Sequence, residues 1–340
     1  AALEQSTKKC YDVVKLIRIY PTGYRSLLTL RLVQKSGAGQ VEGIWADVCT
    51  IEYNRVIAIG GGTIIDVAKL FALRNVSPVV DLFENKLEII REKELILVPT
   101  TCGTGSEVTN VSILELTTRN TKFGLAVPEL YANEAVLIPE LLYDLPFRYF
   151  ATSSIDAFIH AIESYTSVRA TPFTKMYSIL KAYKNIAQNG EEARRPLLKD
   201  VQLASTYAGI AFGNAGTAAV HAMSYPLSAA YHVPHGEANY ALLTEVYRKY
   251  MEKAPHGESL LEVNAFLGNI LGCEPQNVYE EIEKLFQHIL EKKPLHTYGV
   301  RETELADFTK VVIEKQGRLT RNNYVPLTAE DYMDIYKKQF

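Results

Sequence analysis

Asp156 and His160 stand four residues apart in Ser153-Ser-Ile-Asp-Ala-Phe-Ile-His160. On an α-helix this spacing places a carboxylate and an imidazole on one face, a turn apart. Taken alone, the pair also reads as a partly buried hydrogen bond. Downstream lie two more imidazoles, His221 and His235, the second in Val-Pro-His-Gly. One carboxylate and three imidazoles form a donor set suited to a first-row divalent cation, and the spacing does not choose between iron and zinc. Such a site can be catalytic if it leaves room for an oxygen from substrate or water. His232 lies near His235, but Pro234 intervenes and favours His235 as the ligand. His256, His288 and His296 sit among charged or loop residues and read as surface groups.

These residues need helices to hold them. Ile155, Phe158, Ile159 and Ile162 form an apolar stripe at helical spacing, with Thr152, Ser153 and Ser154 offering N-cap oxygens, so a helix is expected over 150–165. Further helices are expected near 170–187 and 200–213, from His221 onward, and repeatedly between 240 and 340. The upstream half has another texture. Arg55-Val-Ile-Ala-Ile59 suits a buried parallel strand and runs into Gly60-Gly-Gly62-Thr63, followed by helical periodicity. Strand, glycines and helix start make the geometry of a phosphate cradle, although the same turn could be only a tight connection. Asp66 would lie in the first turn, within reach of a ligand hydroxyl. Glu94-Leu-Ile-Leu-Val98 is a second such strand, followed by Pro99-Thr-Thr-Cys-Gly-Thr-Gly-Ser-Glu107. Ligands of open α/β sheets bind at the carboxyl ends of strands, so two such loops could hold a dinucleotide. Alternatively, Thr104 or Ser106 in the second loop caps a helix. Cys102, without a neighbouring histidine in sequence, reads as a small packing residue.

The first fifty residues are read as a strand from Val13 to Tyr20 ended by Pro21-Thr-Gly23, a loop at Ser36–Gly39 and a short helix at Val41–Cys49. Residues 111–139 alternate apolar and polar stretches, and Pro128, Pro139 and Pro146 mark the change of texture. The expected architecture is an α/β dinucleotide-binding domain with a parallel sheet over 1–142, then an all-α metal-binding and substrate domain over 143–340. The 340 residues, 47% hydrophobic and 22% charged, fit a globular protein of that size. A net charge of −3 gives no basic surface for nucleic acid. No apolar run is long enough for a bilayer, and residues 1–16 hold no continuous apolar core of the signal-peptide kind. Cys10, Cys49, Cys102 and Cys273 are scattered without a CxxC pair, which suggests reduced thiols and a cytoplasmic location.

Together, Gly60-Gly-Gly-Thr-Ile-Ile-Asp-Val-Ala-Lys69, Pro99–Glu107, Asp156-x-x-x-His160, His221 and Pro234-His235-Gly236 resemble the iron-containing (group III) alcohol dehydrogenases. The motifs run from about residue 55 to 240, and Arg321–Asp331 is similar to the family's C-terminal end. The resemblance implies a metal held by Asp156, His160, His221 and His235. It implies NAD with its pyrophosphate on Gly61, Gly62 and Thr63, in a cleft lined by Thr100, Thr101 and Ser106, with Asp66 and Lys122 near the cofactor. It also implies a homodimer. Tyr225 stands where many members have a second histidine; a phenol is a weaker base than imidazole but can pass a proton or orient substrate. Tyr225 and His235 are therefore the residues expected to act on substrate. The resemblance further points to a small hydroxy acid or aldehyde as substrate, with reversible oxidation of 4-hydroxybutyrate to succinate semialdehyde as the leading reaction. Asn214, Tyr225, Tyr231 and His232 are candidates to hold its carboxylate. Another primary alcohol or a diol is the near alternative. A sugar-phosphate cyclase-type lyase is the distant one, opposed by the lack of Arg or Lys over 207–240. Residues 178–184 look short for the helix the family has there, and Gly39-Gln40-Val41 departs from its Gly-Glu-Pro turn.

Overall fold

The computed structural model describes residues 13–19, 25–31, 38–116, 121–168 and 176–340. The turn expected at Pro21–Gly23, the start of the 36–39 loop and the start of the 170–187 helix lie outside them. Two compact units emerge: one comprises residues up to Thr101 with Ser106–Leu145, the other Cys102–Gly105 with Pro146–Phe340.

The first unit is built on β1 (Val13–Ile19), β2 (Arg25–Arg31), β3 (Arg55–Gly60), β4 (Glu94–Pro99) and the short β7 (Glu134–Ala135), ordered β2-β1-β3-β4-β7. The expected parallel sheet is present in β3, β4 and β7, while β1 runs antiparallel to both β2 and β3. Helices α1 (Ala38–Val48), α2 (Gly62–Phe71) and α3 (Val79–Phe83) accompany it. α1 starts earlier than expected, because Ala38 is buried with Val41, Trp45 and Val48 on one helical face. β3 alternates, burying Val56 and Ala58. α2 buries Ile64, Ile65, Leu70 and Phe71 in the same core, each worth roughly 2 kcal/mol of apolar transfer. The alternating stretch 111–126 is a hairpin of β5 (Val111–Leu116) and β6 (Thr121–Ala126), paired Val111 with Ala126.

Parallel pairing of β3 with β4 sets Gly60 opposite Pro99, and the Thr100 amide donates to the Gly60 carbonyl at 3.0 Å. The two glycine- and threonine-rich loops therefore leave the sheet side by side.

The second unit is helical: α4 (Phe147–Thr166), α5 (Met176–Asn189), α6 (Leu198–Ala215), α7 (Ala219–Tyr231), α8 (His235–Lys253), α9 (Glu258–Leu271), α10 (Val278–Gln287), α11 (Leu305–Lys315), α12 (Gly317–Thr320) and α13 (Ala329–Gln339). The region read as short, 178–184, lies inside the 14-residue α5. No helix among the described residues is long and apolar enough to cross a membrane. α4 is the central element, buried on nearly every side. It starts at Phe147, after Pro146, rather than at the hydroxyl cluster expected to cap it. Thr152 and Ser154 instead donate to the carbonyls of Arg148 and Phe150 one turn back. Ser164 and Thr166 do the same, and the Ser154 and Thr166 hydroxyls also meet the Tyr183 and Tyr247 hydroxyls at 2.7 and 2.8 Å, so these groups are satisfied inside the core.

Candidate metal centre and cofactor loops

On α4 the helical repeat aligns Asp156, His160 and Glu163 on one face, all buried. His221 lies in the first turn of α7, and His235 is the first residue of α8. α8 reaches α4 because Gly236 has no side chain: a Cβ there would lie 1.8 Å from the Thr152 carbonyl oxygen.

Asp156, His221 and His235 offer ligand atoms that all lie within 4.8 Å of one another. Asp156 Oδ1 is 3.5 Å from His221 Nε2 and 3.8 Å from His235 Nε2. His160 stands beside this trio. Its Nδ1 is 4.0 Å from Asp156 Oδ2 and donates to the Gly103 carbonyl at 3.2 Å, which leaves the lone pair on Nε2. Gly103 approaches α4 closely, since a Cβ on it would meet the Ser153 carbonyl oxygen at 2.3 Å. The His160 ring is stacked between Phe212 at 4.1 Å and His221 at 4.5 Å.

The electrostatics call for positive charge here. Burial works against the Asp156 carboxylate, yet the imidazoles of His160, His235 and His221 hold it well below the usual carboxylate range. Burial also works against a charged His221, but Glu163 and Asp156 hold its pKa up at about 9. His160 is pushed by burial down to about 4, with Asp156 opposing.

The side chain of Asn239, one turn beyond His235 on α8, probes the donor set. Its Nδ2 lies 2.8 Å from Asp156 Oδ1, 3.2 Å from His221 Nε2 and 3.3 Å from His235 Nε2. One amide has two hydrogens for three converging groups, and its own Oδ1 is buried with no hydrogen-bond partner among the described residues. A buried point towards which a carboxylate and two imidazole nitrogens converge fits a divalent cation of the iron or zinc kind.

Tyr225, four residues after His221 on α7, is buried with its ring 5.8 Å from that of His235. Of the other residues considered for a substrate carboxylate, Asn214 is exposed and gives its amide to the Ile210 carbonyl. Tyr231 donates to Glu304 at 2.5 Å. His232 is exposed in the left-handed region with φ 53°, ending α7. His256, His288 and His296 are exposed, as expected.

In the first unit, Gly61 caps α2 in extended backbone, and Gly62 and Thr63 open the helix. The first internal bonds run from the Ile64 and Ile65 amides to the Gly61 carbonyl. Thr101 lies alongside, its Cγ2 3.5 Å from where a Gly61 Cβ would be, and Thr100 is buried. Asp66 and Ser106 turn inward. Asp66 Oδ1 accepts from the Ser106 hydroxyl and sits 3.5 Å from Lys69 Nζ, while Oδ2 accepts from the Ile113 amide at 3.0 Å. Lys69, fully buried, also donates to Ser106 Oγ at 2.8 Å and to the Val111 carbonyl at 2.6 Å. The network fastens α2 to the loop after β4. Lys122 lies in β6, in register with Glu115, and its side chain falls outside the described part. Cys102 is buried 3.6 Å from Ser153 Oγ, and burial pushes its thiol up to about 11, as a packing residue requires.

Sequence alone assigned no role to Glu163 or Asn239, and it offered Gly236 only as part of the Pro234-His235-Gly236 motif, without its packing on α4. For Glu163 and Asn239 a signal was present: Glu163 follows Asp156 by seven residues and Asn239 follows His235 by four, both helical spacings.

A donor set of this kind on a helical core, with paired glycine and threonine loops on a partly parallel sheet, is the equipment of a metal-dependent enzyme. The profile described as Fe-containing alcohol dehydrogenase family, C-terminal, matches residues 150–340, and that described as iron-containing alcohol dehydrogenase matches residues 35–139. The chain belongs to the iron-containing alcohol dehydrogenase family. It is 47% identical over 318 residues to the 4-hydroxybutyrate dehydrogenase of Clostridium kluyveri, covering 90% of this chain and 85% of that protein. Among solved structures, an alcohol dehydrogenase of a halo-thermophilic archaeon from a Red Sea brine pool superposes with a TM-score of 0.80 at 21% identity, over 91% of this chain and 83% of the other. The sulfoacetaldehyde reductase of Bifidobacterium kashiwanohense, solved with NAD+, gives 0.77 at 24% identity, over 91% and 82%. At these identities the two structures speak for a shared fold.

Proposed function

We propose that this chain is an NAD-linked, metal-dependent dehydrogenase that interconverts 4-hydroxybutyrate and succinate semialdehyde. The observation that carries the reading is the convergence of Asp156, His221 and His235 on the buried Asn239 amide. The substrate rests on the 47% identity to the Clostridium kluyveri enzyme.

Asp156, His160, His221 and His235 are the ligands of one divalent cation, iron or zinc. When bound, that cation supplies Lewis acidity to the oxygen of the alcohol or aldehyde, and NAD supplies the hydride acceptor. The chain's own residues do the rest. Gly61, Gly62 and Thr63 receive the cofactor's phosphates at the start of α2, where backbone amides precede the first internal hydrogen bond. Thr100 and Thr101 flank that turn. Asp66 and Ser106 serve the cofactor by holding this loop in place, since both oxygens of Asp66 are engaged within the unit. Lys122 is assigned to the cofactor's surroundings. Tyr225, packed on His235, orients the substrate or passes its proton. His160 keeps its ring fixed between Phe212 and His221. The domain division follows the sequence reading: residues 1–142 for the cofactor, 143–340 for metal and substrate. A homodimer, which the family resemblance implies, in the cytoplasm, which cysteines scattered without a CxxC pair suggest, completes the proposal.

The test is oxidation of NADH by metal-reconstituted protein with succinate semialdehyde beside butyraldehyde, repeated with NADPH. Strong preference for the carboxylated aldehyde with NADH is the expected result. Equal rates would make the chain a general alcohol dehydrogenase, and no rate with either cofactor, despite bound metal, would overturn the proposal.

A further inference from the structure

We propose that Glu163 is the positioning residue of the metal centre: its carboxylate holds His221 with the proton on Nδ1 and the lone pair on Nε2, turned towards Asp156 and His235. The inference rests on reading the cluster as a metal centre.

Three contacts make the case. α7 starts after Ala218, whose side chain has no oxygen with which to cap the helix. Glu163 reaches across from α4 and does so instead, accepting from the Ala218 amide at 3.0 Å through Oε2 and from the Val220 amide at 2.7 Å through Oε1. These two backbone donors fix the plane of the carboxylate. A third donor, His221 Nδ1, lies 2.5 Å from Oε2. Glu163 and His221 are both almost completely buried, so no water competes for either ring nitrogen. A buried carboxylate is expensive unless charged or polar donors surround it. Capping alone could be done by a small hydroxyl at position 218. A buried anion also reaches the imidazole, and hydrogen bonding at one ring nitrogen decides which nitrogen is free to bind a metal. His160 obtains the same arrangement from the neutral Gly103 carbonyl; Glu163 supplies His221 with a charged acceptor.

Glu163→Gln keeps the size but replaces one acceptor by an NH2 group, and neither orientation satisfies the site. If the NH2 group faces His221, it meets the Ala218 amide and drives the ring proton to Nε2, blocking the metal. If it faces Val220, it loses that cap. The test measures Zn2+ affinity of the full-length chain by chelator competition and records the visible spectrum of the Co2+-loaded form. The expected result is a 10- to 100-fold loss of affinity (an order-of-magnitude range) and an altered Co2+ spectrum for Glu163→Gln. Glu163→Asp, which keeps the anion, should recover part of the affinity. A Glu163→Gln protein that melts earlier but binds Zn2+ as tightly, with an unchanged spectrum, would reduce Glu163 to a helix cap. Should that variant not fold, imidazole 15N shifts of the unsubstituted, zinc-loaded protein decide: a His221 proton on Nδ1 supports the proposal, and one on Nε2 overturns it. Failure of the unsubstituted chain to bind one equivalent of metal would overturn the metal reading itself, a separate outcome.

Discussion

Gly236 packs on Thr152 so closely that a Cβ on it would lie 1.8 Å from the Thr152 carbonyl oxygen and 3.3 Å from Asp156 Cβ. The obstacle is backbone in the middle of α4, which cannot swing aside as a side chain can. Gly236→Ala must therefore push the first turn of α8 away from α4, carrying His235 and Asn239 off Asp156. The expected outcome is a stability loss of about 1–3 kcal/mol by urea denaturation, as for overpacking elsewhere, together with weakened metal binding. An alanine variant with unchanged metal affinity would show that α8 need not touch α4 for the site to form.

His221 makes the most connections in the cluster, through Glu163, Asp156, Asn239 and the His160 ring. His221→Ala removes one ligand nitrogen and leaves Glu163 without its side-chain partner. Metal content measured after dialysis should fall well below one equivalent per chain, and aldehyde reduction should fall to background. Full turnover in a metal-free His221→Ala protein would remove the metal from the mechanism.

How far the sequence could be read depended on the range of the contact. Asp156 and His160 announced a helix and a shared face because four-residue spacing is local, and the strand–glycine–helix run at Arg55–Leu70 was equally plain. The start of α4 was misplaced because Thr152 and Ser154 have the chemistry of caps but donate to carbonyls one turn back on their own helix. Asp66 looked available to a ligand in sequence, whereas Ser106 and Ile113, more than thirty-five residues away, enclose it. Glu163 was passed over for the same reason: a glutamate on a helix reads as solvent-facing until α7 is packed against it. β5 and β6 went unread since their pairing, unlike helical periodicity, leaves a weak trace in short mixed stretches.

Lys69 offers a test of the first unit alone. Burial pushes its ammonium pKa down and that of Asp66 up, and each group opposes the other's shift. Lys69→Met keeps the volume but strands the Asp66 carboxylate and removes the donor to Ser106 and the Val111 carbonyl. Breaking one side of a buried pair costs about 3–5 kcal/mol, so the variant should unfold at clearly lower urea than the double variant Lys69→Met with Asp66→Asn. Equal midpoints for the two would show that the pair is not coupled.

The metal-free chain should be most stable near the ordinary histidine pKa, for opposite reasons at the two stacked rings. His160 has its folded-state pKa depressed to about 4 from 6.5. The unfolded chain therefore binds more protons between those values, and stability drains away as pH falls through that window. His221 has its folded-state pKa raised to about 9. Its contribution is fully present below 6.5 and is lost as pH rises towards 9. Urea midpoints of chelator-treated protein at about pH 5, 6.5 and 8.5 should peak at the middle value. The alkaline fall should vanish in His221→Ala, which has no proton to lose. It should also vanish with saturating Zn2+, because an ion that binds only the folded state takes over the role of that proton. A midpoint that climbs steadily from pH 5 to 8.5 in metal-free protein would mean that Glu163 and Asp156 do not hold a proton on His221.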